Sequence, residues 1–319
     1  MAVEDIELRH VMPPPLATNG FVPIAHSVSF AGTALHLFIE AELSEEMFAT
    51  TAGPGQPIFP KTVMARSYRA ELIEASPEGA RSTAVEGLDV AYPMIEVLPS
   101  GELVVIGPRA KRYRDGTTDL NCLVFNPQGQ ILRRFLVGDG IQDAFSDNQG
   151  RIWVSYFDEG IFGDFGWGNA GGPMPIGASG LNCFDDFGNI VWDFGQAGGG
   201  DLISDCYAMN VDGANTWIYF YVDFPLYKIT DDFQTRSWEV GLKGCSAFAV
   251  SDTKILFTGQ RGDEPGTVYI AEWERNSIGH FSKNRLVKPG GQAIEKGRLI
   301  CRGPTVNYFD DFGWFHYTL

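Results

Sequence analysis

The stretch Gly138–Gly168, GDGIQDAFSDNQGRIWVSYFDEGIFGDFGWG, carries the plan of the chain. Ile141 to Phe145 alternates apolar and polar residues and runs into a turn at Asp147-Asn148-Gln149-Gly150. A second segment, Ile152 to Phe157, is rich in β-branched and aromatic residues, which suit a pleated and half-buried surface. A long loop of glycines and aromatics then leaves from Asp158.

The same hairpin grammar recurs along the 319 residues. Turns ending at Gly32, Gly101, Gly150, Asn215, Thr253 and Gly297 each precede an apolar strand: ALHLFI, LVVIG, IWVSYF, WIYFYV, ILFTG and LICRG. A second turn type follows within most units, as SPEG, NPQG, DDFG, DDFQ and DDFG, with third strands such as NCLVF, LNCF and PLYKI between. Repeats of this kind, without long 3.6-period segments, predict a six-bladed all-β propeller of four-stranded blades. The blades are expected near residues 21–90, 91–140, 141–202, 203–243, 244–290 and 291–319, after an N-terminal strap over 1–20. The last blade is short, so DIELRHVM near the N-terminus is a candidate closing strand. AELSEEMF (Ala41 to Phe48) is long enough for two helical turns.

A net charge of −16 argues against nucleic acid and against an anionic membrane surface, both of which need a basic face. No apolar run is long enough to span a bilayer, and the acidic start MAVEDIELRH lacks the apolar core of a signal peptide. A cytoplasmic location is the expectation. Five cysteines without a CxxC pair read as buried, reduced side chains, with Cys122 and Cys183 at equivalent LNC positions.

Loop lengths give a working face. Turns between the first and second strands are short, while those between second and third are long: 41–60, 158–179 and 262–266. Long loops on a rigid scaffold collect functional groups. Aligned on the hairpin turns, Glu40, Arg109, Asp158, Asp223, Arg261 and Thr305 stand at one level. Asp158 and Asp223, each two residues after a tyrosine (Tyr156, Tyr221), are candidate ligands for Ca²⁺ or another divalent cation. At the strand entrances His26, Asp143, Asp205 and Tyr207 are candidate acid–base residues. Arg109, Tyr156, Glu159, Trp167, Cys206, Tyr221 and Arg261 complete the expected ligand contacts. Solvated strand ends paired between blades are the plainer account of the same charges.

The stretches DGIQDAFSDNQGRIWVSYFDEGIFG, GWG, DCYAMNVDG and YVDFP resemble signatures of a bacterial β-propeller group without an assigned activity. More loosely, the D-x-x-G-x-I/L-W turn is similar to two-component-regulator propeller repeats and to gluconolactonase/strictosidine synthase-like propellers. The latter resemblance implies a divalent metal held by carboxylate and Asn ligands at channel mouths. Ala25-His26 stands where its first carboxylate is expected, and Asp143 and Asp205 are candidates for its Asp. Two functions follow as expectations: a small-molecule site with metal-assisted hydrolase or lyase chemistry, or a non-catalytic scaffold gripping a peptide, glycan or protein.

Overall fold

In the computed structural model, residues 3–51, 59–168, 171–197 and 201–319 are described. The hairpins form because short polar side chains close their turns. Asp147 Oδ1 accepts hydrogen bonds from the amides of Gln149 (2.9 Å) and Arg151 (3.0 Å). Its Oδ2 accepts from Arg151 Nε (2.6 Å) and Trp153 Nε1 (3.0 Å). Asn126 closes its turn the same way onto Gln128 and Gln130, and Asp185 onto Phe187 and Asn189. Such side-chain mimicry of a backbone turn is why Asn and Asp recur at these corners.

The chain divides into two units, 16–196 and 1–15 with 197–319. The 16–196 unit holds three four-stranded antiparallel sheets in consecutive order. The first is Phe21–Val28, Ala34–Glu40, Val63–Ser76 and Gly79–Val90. The second is Met94–Val97, Leu103–Ile106, Cys122–Phe125 and Ile131–Phe135. The third is Ile141–Ser146, Ile152–Tyr156, Leu181–Phe184 and Ile190–Asp193. The two inner strands Leu103–Ile106 and Cys122–Phe125 are buried at every residue, whereas the outermost Ile131–Phe135 is not. Strands covered on both faces read as unbroken apolar runs, and each fully buried Leu, Ile or Phe contributes about 1.5–3 kcal/mol.

The other unit holds Asp205–Asp212, Asn215–Tyr221, Leu226–Ile229 and Thr235–Trp238 as one four-stranded sheet. A second is Arg298–Arg302, Thr305–Asp310 and Gly313–Thr318, completed by Arg9–Met12 from the N-terminus. Between them in sequence lies a larger, seven-stranded sheet. There Glu4–Glu7 adds in parallel to Ser282–Lys288, and the short strands Ser277–Ile278 and Gln292–Ala293 pair alongside.

The propeller class therefore stands, but the expected six four-stranded blades do not. Among the described residues five sheets have the four-stranded form of a blade, and the remaining strands form the seven-stranded sheet and a two-stranded one, Thr50–Thr51 with Phe59–Pro60. Counting turns missed this because the added strand is not preceded by one. It is held by backbone pairing, by the Arg285–Asp5 ion pair at 2.8 Å and by burial of Leu8.

The turns at Gly32, Gly101 and Gly150 join paired strands as expected. Gly297 does not. It precedes the first strand of its sheet, and the hairpin to Thr305–Asp310 turns instead at Gly303. Thr305 thus opens a strand rather than ending one. The 41–48 segment is a 3-10 turn, Ala41–Leu43, running into the helix Ser44–Met47. No helix among the described residues is long and apolar enough to cross a membrane.

Candidate functional site

Arg109 leaves the end of Leu103–Ile106 and turns back into the 16–196 unit, where its side chain is only 4% exposed. A charge so deeply buried requires partners, and it has three. Nε and Nη2 meet Asp139 Oδ1 (2.9 Å) and Oδ2 (3.0 Å) as a fork. Nη1 donates to Glu159 Oε2 at 2.5 Å, and Nη2 also donates to Asp164 Oδ2 at 3.1 Å. The guanidinium carbon lies 4.5 Å from the Phe165 ring centroid and 5.4 Å from that of Phe157. A planar cation suits both contacts at once.

Burial alone would lower the Arg109 pKa, but the Asp139 and Glu159 carboxylates outweigh it and keep the group charged. Burial pushes the Asp139 carboxyl up, against the pull of Arg109 and of the Ala110 amide, which donates to Oδ1 at 2.7 Å. The two shifts have opposite balances: for Arg109 its carboxylate partners outweigh lost water, and for Asp139 lost water outweighs its partners.

This cluster anchors the glycine-aromatic loop. Asp158–Phe162 is a short helix, and Asp164 and Phe165 follow it onto Arg109. Trp167 is buried, its indole N–H donating to Ala110 O at 2.9 Å. Beyond Ala110 a small hairpin, 111–119, lies on the loop. Arg112 N–H donates to Phe165 O at 2.9 Å, and a Cβ on Gly166 would stand 2.3 Å from Arg112 O. With φ at +92°, this position suits glycine on both counts. Tyr113 OH and the Lys111 amide both donate to the Asp119 carboxylate, at 2.9 Å each, which closes the hairpin.

Between hairpin and loop lies an open groove of about 810 Å³. Lys111, Arg112, Tyr113, Arg114 and Asp115 line one side, and Phe59 with Asp164, Phe165 and Gly166 the other. Phe59 meets Phe165 edge-to-face, with centroids 5.6 Å apart. Residues 52–58 of the expected 41–60 loop, and Asn169 and Ala170 of the expected 158–179 loop, lie outside the described residues.

The structure brings together Arg109 and Glu159 among the expected site residues, with Trp167 packed behind them. It reassigns several others. Tyr156 is fully buried and donates from its hydroxyl to Val137 O at 2.5 Å, so it is a core residue rather than a ligand contact. Trp167 likewise is packing and not an exposed rim. Cys206 is fully buried, its Sγ 3.8 Å from Ala208 O. His26 is hydrogen-bonded Nδ1 to Nδ1 with His36 at 2.9 Å, on facing strands. Asp143 sits on its strand with its amide donating to Ser155 Oγ.

In the other unit Asp205 is paired with Tyr221 across the ladder, and Tyr207 rests edge-on against Phe224 at 5.0 Å. Tyr221, Asp223 and Arg261 are exposed. Asp158 is exposed as well, and its Oδ1 accepts from the Glu159 amide at 2.8 Å. Of the four acids expected in one sector, Asp143 and Asp158 belong to the 16–196 unit and Asp205 and Asp223 to the other. No group of three or more His, Cys, Asp or Glu side chains that would hold a metal ion stands together among the described residues.

Asp139, Asp164 and the KRYR run Lys111–Arg114 are not among the residues expected from sequence. A signal for the last was present: four consecutive residues, three of them cationic, in a chain of net charge −16.

A YxzG family model matches residues 180–306, less than half of the chain. No curated protein matches. Among solved structures, the chain is similar to a catalytically inactive virginiamycin B lyase from Staphylococcus aureus with quinupristin. Identity is 10%, coverage 97% of this chain and 99% of that one, and the TM-score 0.41. It is also similar to the extracellular domain of a B. thetaiotaomicron protein described as a one component system, at 11% identity. There the match covers 99% of this chain and 42% of that one, with a TM-score of 0.45. A protein described as a gluconolactonase matches at 10% identity over 98% of this chain and 91% of that one, TM-score 0.41.

Proposed function

We propose that this propeller protein binds a small molecule, and that the groove between the 111–119 hairpin and the Asp164–Gly166 segment is the site. The observation that carries this reading is the support beneath the groove. The wall residues Asp164 and Phe165 are fixed by Arg109, which is itself locked by Asp139 and Glu159. Binding sites need concave walls held in place by their surroundings, with a few polar groups converging on an apolar lining. The carboxylates of the cluster accept from Arg109, which suits a support better than a general base. Binding rather than bond cleavage is therefore the reading favoured over a hydrolase or lyase.

The test is a thermal-shift screen of neutral, cationic and anionic small molecules on the full chain. At least one should raise the melting temperature, since a ligand that binds only the folded state stabilises it. Tyr113→Ala, which removes an exposed ring from the groove, should weaken that response. If no compound stabilises the protein, or if the response is indifferent to Tyr113→Ala, the reading is wrong.

A further inference from the structure

The groove carries an unbalanced charge. Arg109 engages three carboxylates. Among the described residues no carboxylate stands within ion-pair distance of Lys111, Arg112 or Arg114, although all three line the groove. Two acids share the lining. Asp164 is neutralised from behind by Arg109. Asp115 accepts from the Thr117 amide (3.0 Å) and hydroxyl (2.7 Å), and these bonds hold its carboxyl below the usual range. Asp115 is thus committed to closing the hairpin. Its negative charge remains and attracts Arg112, so three cations face one carboxylate not already neutralised, a local positive excess in a protein whose net charge is −16.

Rings stand beside those cations. Phe59 and Phe165 supply apolar surface opposite, and Lys111 Nζ lies 5.4 Å from the Tyr113 ring centroid. Guanidinium groups recognise carboxylate and phosphate by paired hydrogen bonds, and aromatic side chains take flat rings by offset or edge contact. We infer that the groove takes a small aromatic anion, its ring against Phe59, Phe165 and Tyr113 and its phosphate or carboxylate against Lys111, Arg112 and Arg114. This rests on the small-molecule reading above and narrows it to one ligand class.

The probe is 1-naphthyl phosphate, compared with 1-naphthol and inorganic phosphate by titration of the full chain. Arg112→Gln and Arg114→Gln are the variants. The Arg112 amide that docks the hairpin is backbone and survives the first, and Arg114 is exposed; melting curves of both variants are the control for folding. The naphthyl phosphate should bind more tightly than either part, weaken as salt rises, and lose about tenfold in affinity in each variant. Equal affinity for 1-naphthol would overturn the anionic half while leaving a small-molecule site. Equal affinity for inorganic phosphate would overturn the aromatic half. If none of the three binds but another molecule does so in a Tyr113-dependent way, the ligand class is wrong and the site stands. If no small molecule binds, both readings fall.

Discussion

Arg109 and Asp139 form a two-point fork, Nε to Oδ1 at 2.9 Å and Nη2 to Oδ2 at 3.0 Å, with both side chains almost wholly out of solvent. Thirty residues apart in sequence, they hold the end of one sheet's inner strand against the connection that enters the next. Removing one partner of such a pair strands the other charge, at about 3–5 kcal/mol. Asp139→Asn leaves Arg109 with Glu159 and Asp164, so it should destabilise the fold by at most about that much in denaturant titrations. Glu159, whose side chain is 39% exposed, shares its charge with water, and Glu159→Gln should cost about 1 kcal/mol or less. Equal effects of the two would show that burial does not govern the cluster.

Gly166→Ala tests how the hairpin is docked. Its methyl would meet Arg112 O at 2.3 Å in a left-handed backbone region, so the hairpin must lift or the loop must shift. A loss of about 1–3 kcal/mol is expected. Amide exchange at Arg112, whose N–H is bonded to Phe165 O, should accelerate. Unchanged exchange there would contradict the docking.

The hairpin turns were legible because Asp and Asn corners and Gly at positive φ have local causes; Asp147-Asn148-Gln149-Gly150 states its structure within four residues. The last repeat was misread because LICRG, as an apolar run, looks the same in a first or a second strand, and only the Gly303 turn settles the difference. Arg109 was visible from its place after a strand, but Asp139 and Asp164 become its partners only through tertiary packing. Tyr156 and Trp167 were mistaken for ligand contacts since their polar atoms are satisfied by the distant carbonyls of Val137 and Ala110. The KRYR run was lost for the opposite reason: consecutive charges ordinarily read as solvated surface, and the opposing wall comes from Phe59 and Phe165.

Stability should fall in acid through His36. Burial, and then the neighbouring His26, lower its pKa from 6.5 to about 3. Between those values the unfolded chain takes up a proton that the folded chain refuses, so stability is full above the unfolded pKa and is lost as pH falls toward the folded one. Denaturant midpoints should drop over this window, with a slope of at most about 1.4 kcal/mol per pH unit from this residue. His36→Gln should flatten the drop. An unchanged slope would remove His36 as its cause.

All five cysteines are buried and none is in a disulfide, and burial pushes the thiols of Cys122, Cys183 and Cys245 up. Thiolate, not thiol, is the reactive form. Iodoacetamide should leave the native protein unmodified and add five labels after denaturation, read by intact mass. Rapid native labelling of Cys122 or Cys183 would contradict their burial.

The most direct test of the binding claim is residue-resolved NMR during titration with 1-naphthyl phosphate. The amides of 111–116 and 164–166, and the Trp167 indole N–H bonded to Ala110 O, should shift together and saturate with one constant. Amides of the sheets remote from the groove should stay in place. Saturable shifts confined to other surfaces, with the 111–116 amides unmoved, would contradict the account.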